Sequence, residues 1–96
     1  MGRKSISKMT RLEVVELLLY NMVRVAMEDG VPRSKVSEQY FEREGAPTYK
    51  FQHFLTEALG SIDFNEKVYV MNVLENDNPL TKEALEKIAL ISIVRE

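Results

Sequence analysis

The sequence contains no cysteine and no tryptophan, and His53 is its only histidine. The absence of cysteine excludes disulfide bonds, thiol catalysis and cysteine-ligated metal sites, and it is consistent with a reducing compartment. A single histidine without cysteines does not make a usual zinc site. We therefore expect no bound metal and predict a cytoplasmic protein.

Signatures of catalysis and of membrane insertion are also missing. No glycine-rich phosphate loop, nucleophile elbow or HExxH pattern occurs in the chain. The N-terminus is basic, but no apolar segment of the signal-peptide kind follows it. Charged residues interrupt the longest apolar run before it reaches the length of a membrane span. We predict a non-enzymatic protein without a cofactor, a small-molecule substrate or a membrane partner.

The charges are distributed unevenly along the 96 residues, a length sufficient for one domain. The first eleven residues hold four basic residues and no acid, which leaves 9 of the 13 basic and all 15 acidic residues for positions 12–96. We predict a flexible basic arm over residues 1–9 and a single helical domain over residues 10–96. The arm either contacts phosphate groups or is a solvated terminus.

The strongest pattern predicts a long helix between Thr10 and Gly30. Thr10 followed by Glu13 matches the capping box that begins a helix. Gly30 can adopt the left-handed conformation that ends a helix, and Pro32 prevents its continuation. This helix is the element around which we expect the remaining chain to pack.

The apolar residues of this helix cover nearly half of its circumference, more than the stripe of roughly 100° on a one-sided surface helix. Such a helix needs contacts on two sides. They come either from two helices of its own chain, or from one helix of its own chain and one helix of a second copy. Leu17 falls on the polar side and favours an external contact. We predict that the partner interface includes Leu18, Met22 and Val25.

Four further segments are predicted to be helical: 33–44, 49–59, 63–75 and a final helix that begins after Thr81. Thr48, Asp63 and Thr81 are the predicted N-caps of the last three. Residues 68–73 are rich in strand formers, so a strand is the alternative for that segment. The C-terminal residues 90–94 are apolar on nearly all sides, which indicates burial or docking on another chain. Leu90 and Ile93 are added to the predicted interface. The fold class that follows is all-α, a compact bundle of four to five helices.

Residues 36–59 resemble the helix-turn-helix of DNA-binding regulators. Gly45 fits the turn, and Phe51 and Phe54 fit the two buried positions of the recognition helix. Phe41 and Glu44 depart from the pattern, where the motif has a small residue and an apolar one, so an ordinary helical hairpin is the alternative. The resemblance implies that one side of the third helix faces DNA: Thr48, Tyr49, Lys50, Gln52 and His53.

The first third of the chain resembles a ribbon-helix-helix repressor in part. The alternating segment from Lys4 to Lys8, the long helix and the turn at residues 30–34 follow the order of that motif. In that family the paired strands of a dimer lie in the major groove of DNA. The resemblance implies a short strand at Lys4–Lys8 and nucleic-acid contacts from the basic arm: Arg3, Lys4 and Lys8.

Two functions are compatible with these patterns. The leading hypothesis is a small regulatory or adaptor protein that associates with another protein and with itself as a homodimer, since its apolar surface exceeds what so small a core can cover. The alternative is a DNA-binding transcriptional regulator that uses residues 36–59 and the basic arm.

Overall fold

The computed structural model describes the backbone of residues 5–77 and 79–95, and their side chains except those of residues 76, 77 and 91–95. Short 3-10 turns at Ile6–Lys8 and Arg33–Lys35 precede the first and second helices. No strand forms within the described residues, so the predicted all-α bundle is confirmed. The helices in that part of the chain are α1 (Arg11–Glu28), α2 (Val36–Tyr40), α3 (Tyr49–Gly60), α4 (Phe64–Asp77) and α5 (Lys82–Arg95).

Helix α1 begins and ends where its local sequence indicates. The backbone N–H of Glu13 donates to the Thr10 hydroxyl (3.1 Å), and the Glu13 carboxylate accepts from the Thr10 N–H (2.8 Å). At the other end Gly30 has a φ of 88°, and the Val31 N–H donates to the Ala26 carbonyl (3.1 Å). The capping box and the glycine stop are therefore confirmed, because both depend only on neighbouring residues.

Helices α4 and α5 also begin at predicted caps. The Asp63 carboxylate accepts from the Glu66 N–H (2.8 Å), and the Thr81 hydroxyl accepts from the Ala84 N–H (3.1 Å). The strand alternative for residues 68–73 is wrong, since α4 is helical through them and continues to Asp77. The capped start outweighs the strand propensity of these residues.

Helix α2 is much shorter than predicted, and Thr48 stands at the N-cap position of α3 without the predicted side-chain hydrogen bond. The helix ends at Tyr40, and Phe41 is extended and forms an isolated bridge with Pro47. The ring of Phe41 is buried against Phe51, with 5.2 Å between the centroids. Thr48 donates its hydroxyl proton to the Gln39 carbonyl (2.7 Å) rather than capping α3. Phe41 reaches this buried position in an extended conformation, and the Glu42 and Thr48 N–H groups donate to the Ala46 and Tyr40 carbonyls, so a hairpin-like turn replaces further helix.

The short strand predicted between Lys4 and Lys8 is also wrong for the described part of that segment. Residues Ile6–Lys8 form a 3-10 turn, and Ile6 and Met9 pack against the hydrophobic core. The Tyr69 hydroxyl donates to the Met9 carbonyl and holds this segment on α4. The segment therefore does not present the paired strand of a ribbon-helix-helix repressor.

The core is built around α1, which contacts α2, α4 and α5. Met22 of α1 and Leu85 of α5 are both fully buried at its centre. Further buried side chains come from every helix, among them Val14, Leu19 and Val23 of α1, Val36 and Tyr40 of α2, Phe51 and Phe54 of α3, Val70 and Val73 of α4, and Ala89 of α5.

We predict that Thr10→Ala lowers the free energy of unfolding by about 1 kcal/mol, because the Glu13 N–H loses its acceptor. For a domain of this size the melting temperature falls by about 4–8 °C, which thermal unfolding followed by circular dichroism measures. Thr10→Ser keeps the hydroxyl and serves as the control. Equal melting temperatures for Thr10→Ala and the unmodified chain would contradict the role of this cap.

Candidate functional site

An apolar groove of about 570 Å³ lies between α1 and α3. It exists because α3 packs on α2 and approaches α1 only loosely, so the facing sides of α1 and α3 remain apart. The apolar lining consists of Val14, Leu17, Leu18, Val25 and Ala26 from α1, Phe54, Ala58 and Leu59 from α3, and Ile6, Val31, Ile62 and Val70 from neighbouring segments. This volume falls in the range of natural binding sites.

Tyr40 holds the α2 end of the groove together. Its hydroxyl donates to the Met22 carbonyl of α1 (3.0 Å), and its ring stacks edge-on with Phe54 of α3, with centroids 6.0 Å apart. Tyr40 thus sets the distance between the two walls at this end. Burial raises the pKa of the Tyr40 phenol above its usual value, and the negative charge of Asp29 raises it further.

The groove is long as well as apolar. Its lining residues on α1 extend from Val14 to Asp29, and a rise of 1.5 Å per residue makes that distance about 22 Å. Ile6 and Val70 line the groove beyond α1 and α3, where the first 3-10 turn lies against α4. A trough of this length accommodates an elongated occupant rather than a compact one.

Charged and polar side chains border the groove on both sides. Arg24 is paired with Glu28 (2.8 Å), whereas Lys50 donates to the neutral amide oxygen of Gln39 (3.0 Å). Among the residues that the structure describes, Lys50 therefore faces the groove without a carboxylate partner. The other polar lining residues are Asn21, Asp29, His53, Glu57 and Ser61.

The predicted interface residues fall in three different environments. Met22 is 0% exposed and Leu18 is nearly buried, because α2 and α5 pack over this side of α1. Val25 is half-buried and lines the groove, as does Leu17, whose position on the polar side of the helix indicated an external contact. Leu90 is exposed on α5, and Ile93 lies outside the described side chains.

The predicted DNA-contacting residues are exposed where the structure describes them, apart from Thr48, which is half-buried. Tyr49 is 83% exposed, and Lys50 and His53 line the groove. Lys8 and Gln52 are exposed as well, and Arg3 and Lys4 lie outside the described residues.

The connection between α2 and α3 is too long for a helix-turn-helix. Residues 41–48 separate the two helices, whereas a helix-turn-helix has a turn of three to four residues, so this hairpin does not have that geometry.

The α3 wall of the groove was not identified from the sequence. Ala58 and Leu59 continue the helical periodicity of Phe51 and Phe54, which indicates a core face. They are half-buried instead, because α3 does not close onto α1. A local pattern carries no signal for this gap, which depends on how α2 positions α3.

Comparison of the chain with models of known protein families, with curated proteins and with solved structures gave no match. Within residues 5–77 and 79–95 no helix has the length and apolar character needed to cross a membrane. The same part of the chain shows no group of three or more histidine, aspartate or glutamate side chains arranged to hold a metal ion.

We predict that Tyr40→Phe lowers the free energy of unfolding by about 1 kcal/mol at neutral pH, through loss of the hydrogen bond to Met22. Because the folded pKa of Tyr40 is raised, its contribution is fully present below pH about 10 and is lost as the pH rises through the folded pKa. Urea unfolding between pH 7 and 11 should therefore show the two chains converging in stability. A constant difference across this range would contradict the raised pKa.

Proposed function

We propose that this chain is a non-enzymatic adaptor that binds an amphipathic helix of another protein in the groove between α1 and α3. The observation that supports this most directly is a partly open apolar trough about 22 Å long, bordered by polar and charged side chains. Val14, Leu18 and Phe54 are buried in its floor, and Leu17, Val25 and Ala58 are half-buried along its walls. Amphipathic helices bind other proteins by placing their apolar side in grooves of this kind.

The length of the groove determines the kind of helix that fits. A distance of about 22 Å corresponds to roughly four helical turns, so the bound helix uses anchor side chains spaced at i, i+4, i+7 and i+11. Leu17 and Val25 on one wall and Ala58 on the other provide the apolar contacts. Ala58 leaves space for a large anchor, because it is the smallest residue of the α3 wall.

The charges at the border select among such helices. Lys50 has only the neutral Gln39 amide as a described partner, and His53 lies one turn further along α3 in the same lining. A carboxylate beside the apolar face of the bound helix would pair with Lys50. Because Asp29 and Glu57 also line the groove, we propose an occupant with a single acidic residue at the edge of its apolar stripe, placed beside Lys50.

The test is selection of binders from a display library of random 20-residue peptides, followed by affinity measurement with labelled peptides. We expect selected peptides to be amphipathic helices with an acidic residue at the apolar edge. Leu17→Glu or Ala58→Glu should weaken their binding at least about tenfold, because a charge enters the apolar lining. Circular dichroism checks that each variant folds, and both positions are half-buried rather than central.

Lys87→Glu on α5 is the matched control for Lys50→Glu, since Lys87 is exposed and does not line the groove. We expect only Lys50→Glu to weaken the selected peptides. Selection of extended peptides, or equal affinity for Leu17→Glu, Ala58→Glu and the unmodified chain, would overturn the proposal.

DNA binding is a second candidate function, supported by the exposure of Tyr49, Lys50, Gln52 and His53 along α3. Tyr49 and Gln52 do not line the groove, so they separate the two functions. If DNA binds, Tyr49→Ala with Gln52→Ala should reduce its affinity and leave peptide affinity unchanged. Duplex binding measured at several salt concentrations should also weaken steeply with salt. Absence of duplex binding at low salt would exclude this second function.

A further inference from the structure

Helix α4 carries a second apolar surface that is separate from the groove. Phe64, Val68 and Met71 follow the spacing i, i+4, i+7, which places them on one side of the helix. Their exposed fractions are 75%, 42% and 41%. We name these three side chains the α4 stripe. An exposed row of large apolar side chains on a folded chain indicates an interaction surface.

The α4 stripe points away from the bundle and from the groove. Val70 and Val73 form the opposite side of α4 and are buried in the core, and Val70 also lines the groove. In a helix of 3.6 residues per turn, Val70 and Val73 lie well away from the line through Phe64 and Met71. A chain that docks on the stripe therefore leaves the groove open.

We propose that the α4 stripe is the interface with a second copy of this chain, with the two α4 helices antiparallel about a two-fold axis. The axis passes between Val68 and Met71. Val68 of each copy then packs against Met71 of the other, and the contact is self-complementary, as an isologous interface requires. Phe64 covers each end of the paired helices.

The charges on α4 decide the direction of pairing. Glu75 is exposed and continues the line of the stripe by one helical turn, and Lys67 is exposed at its border. Parallel helices would place the two Glu75 carboxylates side by side, which is repulsive. Antiparallel helices place Glu75 at the Phe64 end of the other copy, near its Lys67. Asp63 and Glu66 also lie at the Phe64 end, but they bond to each other's backbone N–H groups at the cap and lie off the line of the stripe. The charges that border the stripe itself, Lys67 and Glu75, are therefore complementary to a reversed copy.

The size of the surface determines how tightly the copies associate. Helix α4 has 14 residues, about 21 Å of helix, and one such face buries less than the roughly 800 Å² per partner of a standard interface. A contact below the standard size is typical of weak, reversible association, so we expect a dissociation constant between about 1 μM and 1 mM. Its two open grooves would bind two helices of a partner with increased apparent affinity, but the dimer itself does not depend on groove binding.

Sedimentation equilibrium between about 1 μM and 1 mM, which brackets such a dissociation constant, tests the dimer. The apparent mass should rise from 11.1 kDa towards twice that value. Phe64→Ser with Met71→Ser should remain monomeric, with at least a tenfold loss of association. Leu12→Ser, at an apolar position of α1 that is 66% exposed, is the matched control and should associate normally. An unmodified chain that stays monomeric, or equal loss in the control, would overturn the proposal.

A charge exchange tests the antiparallel direction. Lys67→Glu and Glu75→Lys should each weaken association, because each places like charges together across the interface. The double variant should restore it, since the opposite charges are then exchanged in both copies. Failure of the double variant to restore association would overturn the antiparallel arrangement. Peptide affinity should be unchanged in all α4 variants. Loss of self-association and loss of peptide binding in the groove can therefore be observed independently of each other.

Discussion

The fold depends on covering the broad apolar side of α1. Helices α2, α4 and α5 pack over most of this side and bury Met22 at the centre. Helix α3 is held through α2 instead, by the stacking of Tyr40 with Phe54 and of Phe41 with Phe51. Because α3 is positioned by its neighbour rather than by α1, the side of α1 that carries Leu17 and Val25 stays open and forms the groove.

A chain of this size leaves a large part of its apolar surface accessible, and two parts of that surface are the groove and the α4 stripe. The groove is concave and bordered by charge, which suits the insertion of a helix from another protein. The α4 stripe is a single convex helix face, which suits pairing with an identical face. Since Val70 faces the groove and Phe64 faces away from the bundle, the two surfaces can be occupied together. A dimeric adaptor with two helix-binding grooves is the arrangement we propose from this geometry.

Several features of the fold could be predicted from the sequence because they depend on a few consecutive residues. The caps at Thr10, Asp63 and Thr81 formed as predicted, and α1 ended at Gly30. Predictions failed where a distant contact competed with the local pattern. Helix α2 stopped early because Phe41 is buried against Phe51, and the Thr48 hydroxyl bonded to the Gln39 carbonyl instead of capping α3.

By itself, the sequence determined that the chain is helical, where most helices begin and end, and that α1 has an unusually wide apolar side. Capping and periodicity are local, so they can be recognised before the chain folds. Only the tertiary structure decided which part of that side remained open. Met22 lies under packed helices, whereas Leu17 and Val25 are half-buried and face the groove, because the position of α3 is fixed by contacts with α2 that no pattern within α1 contains.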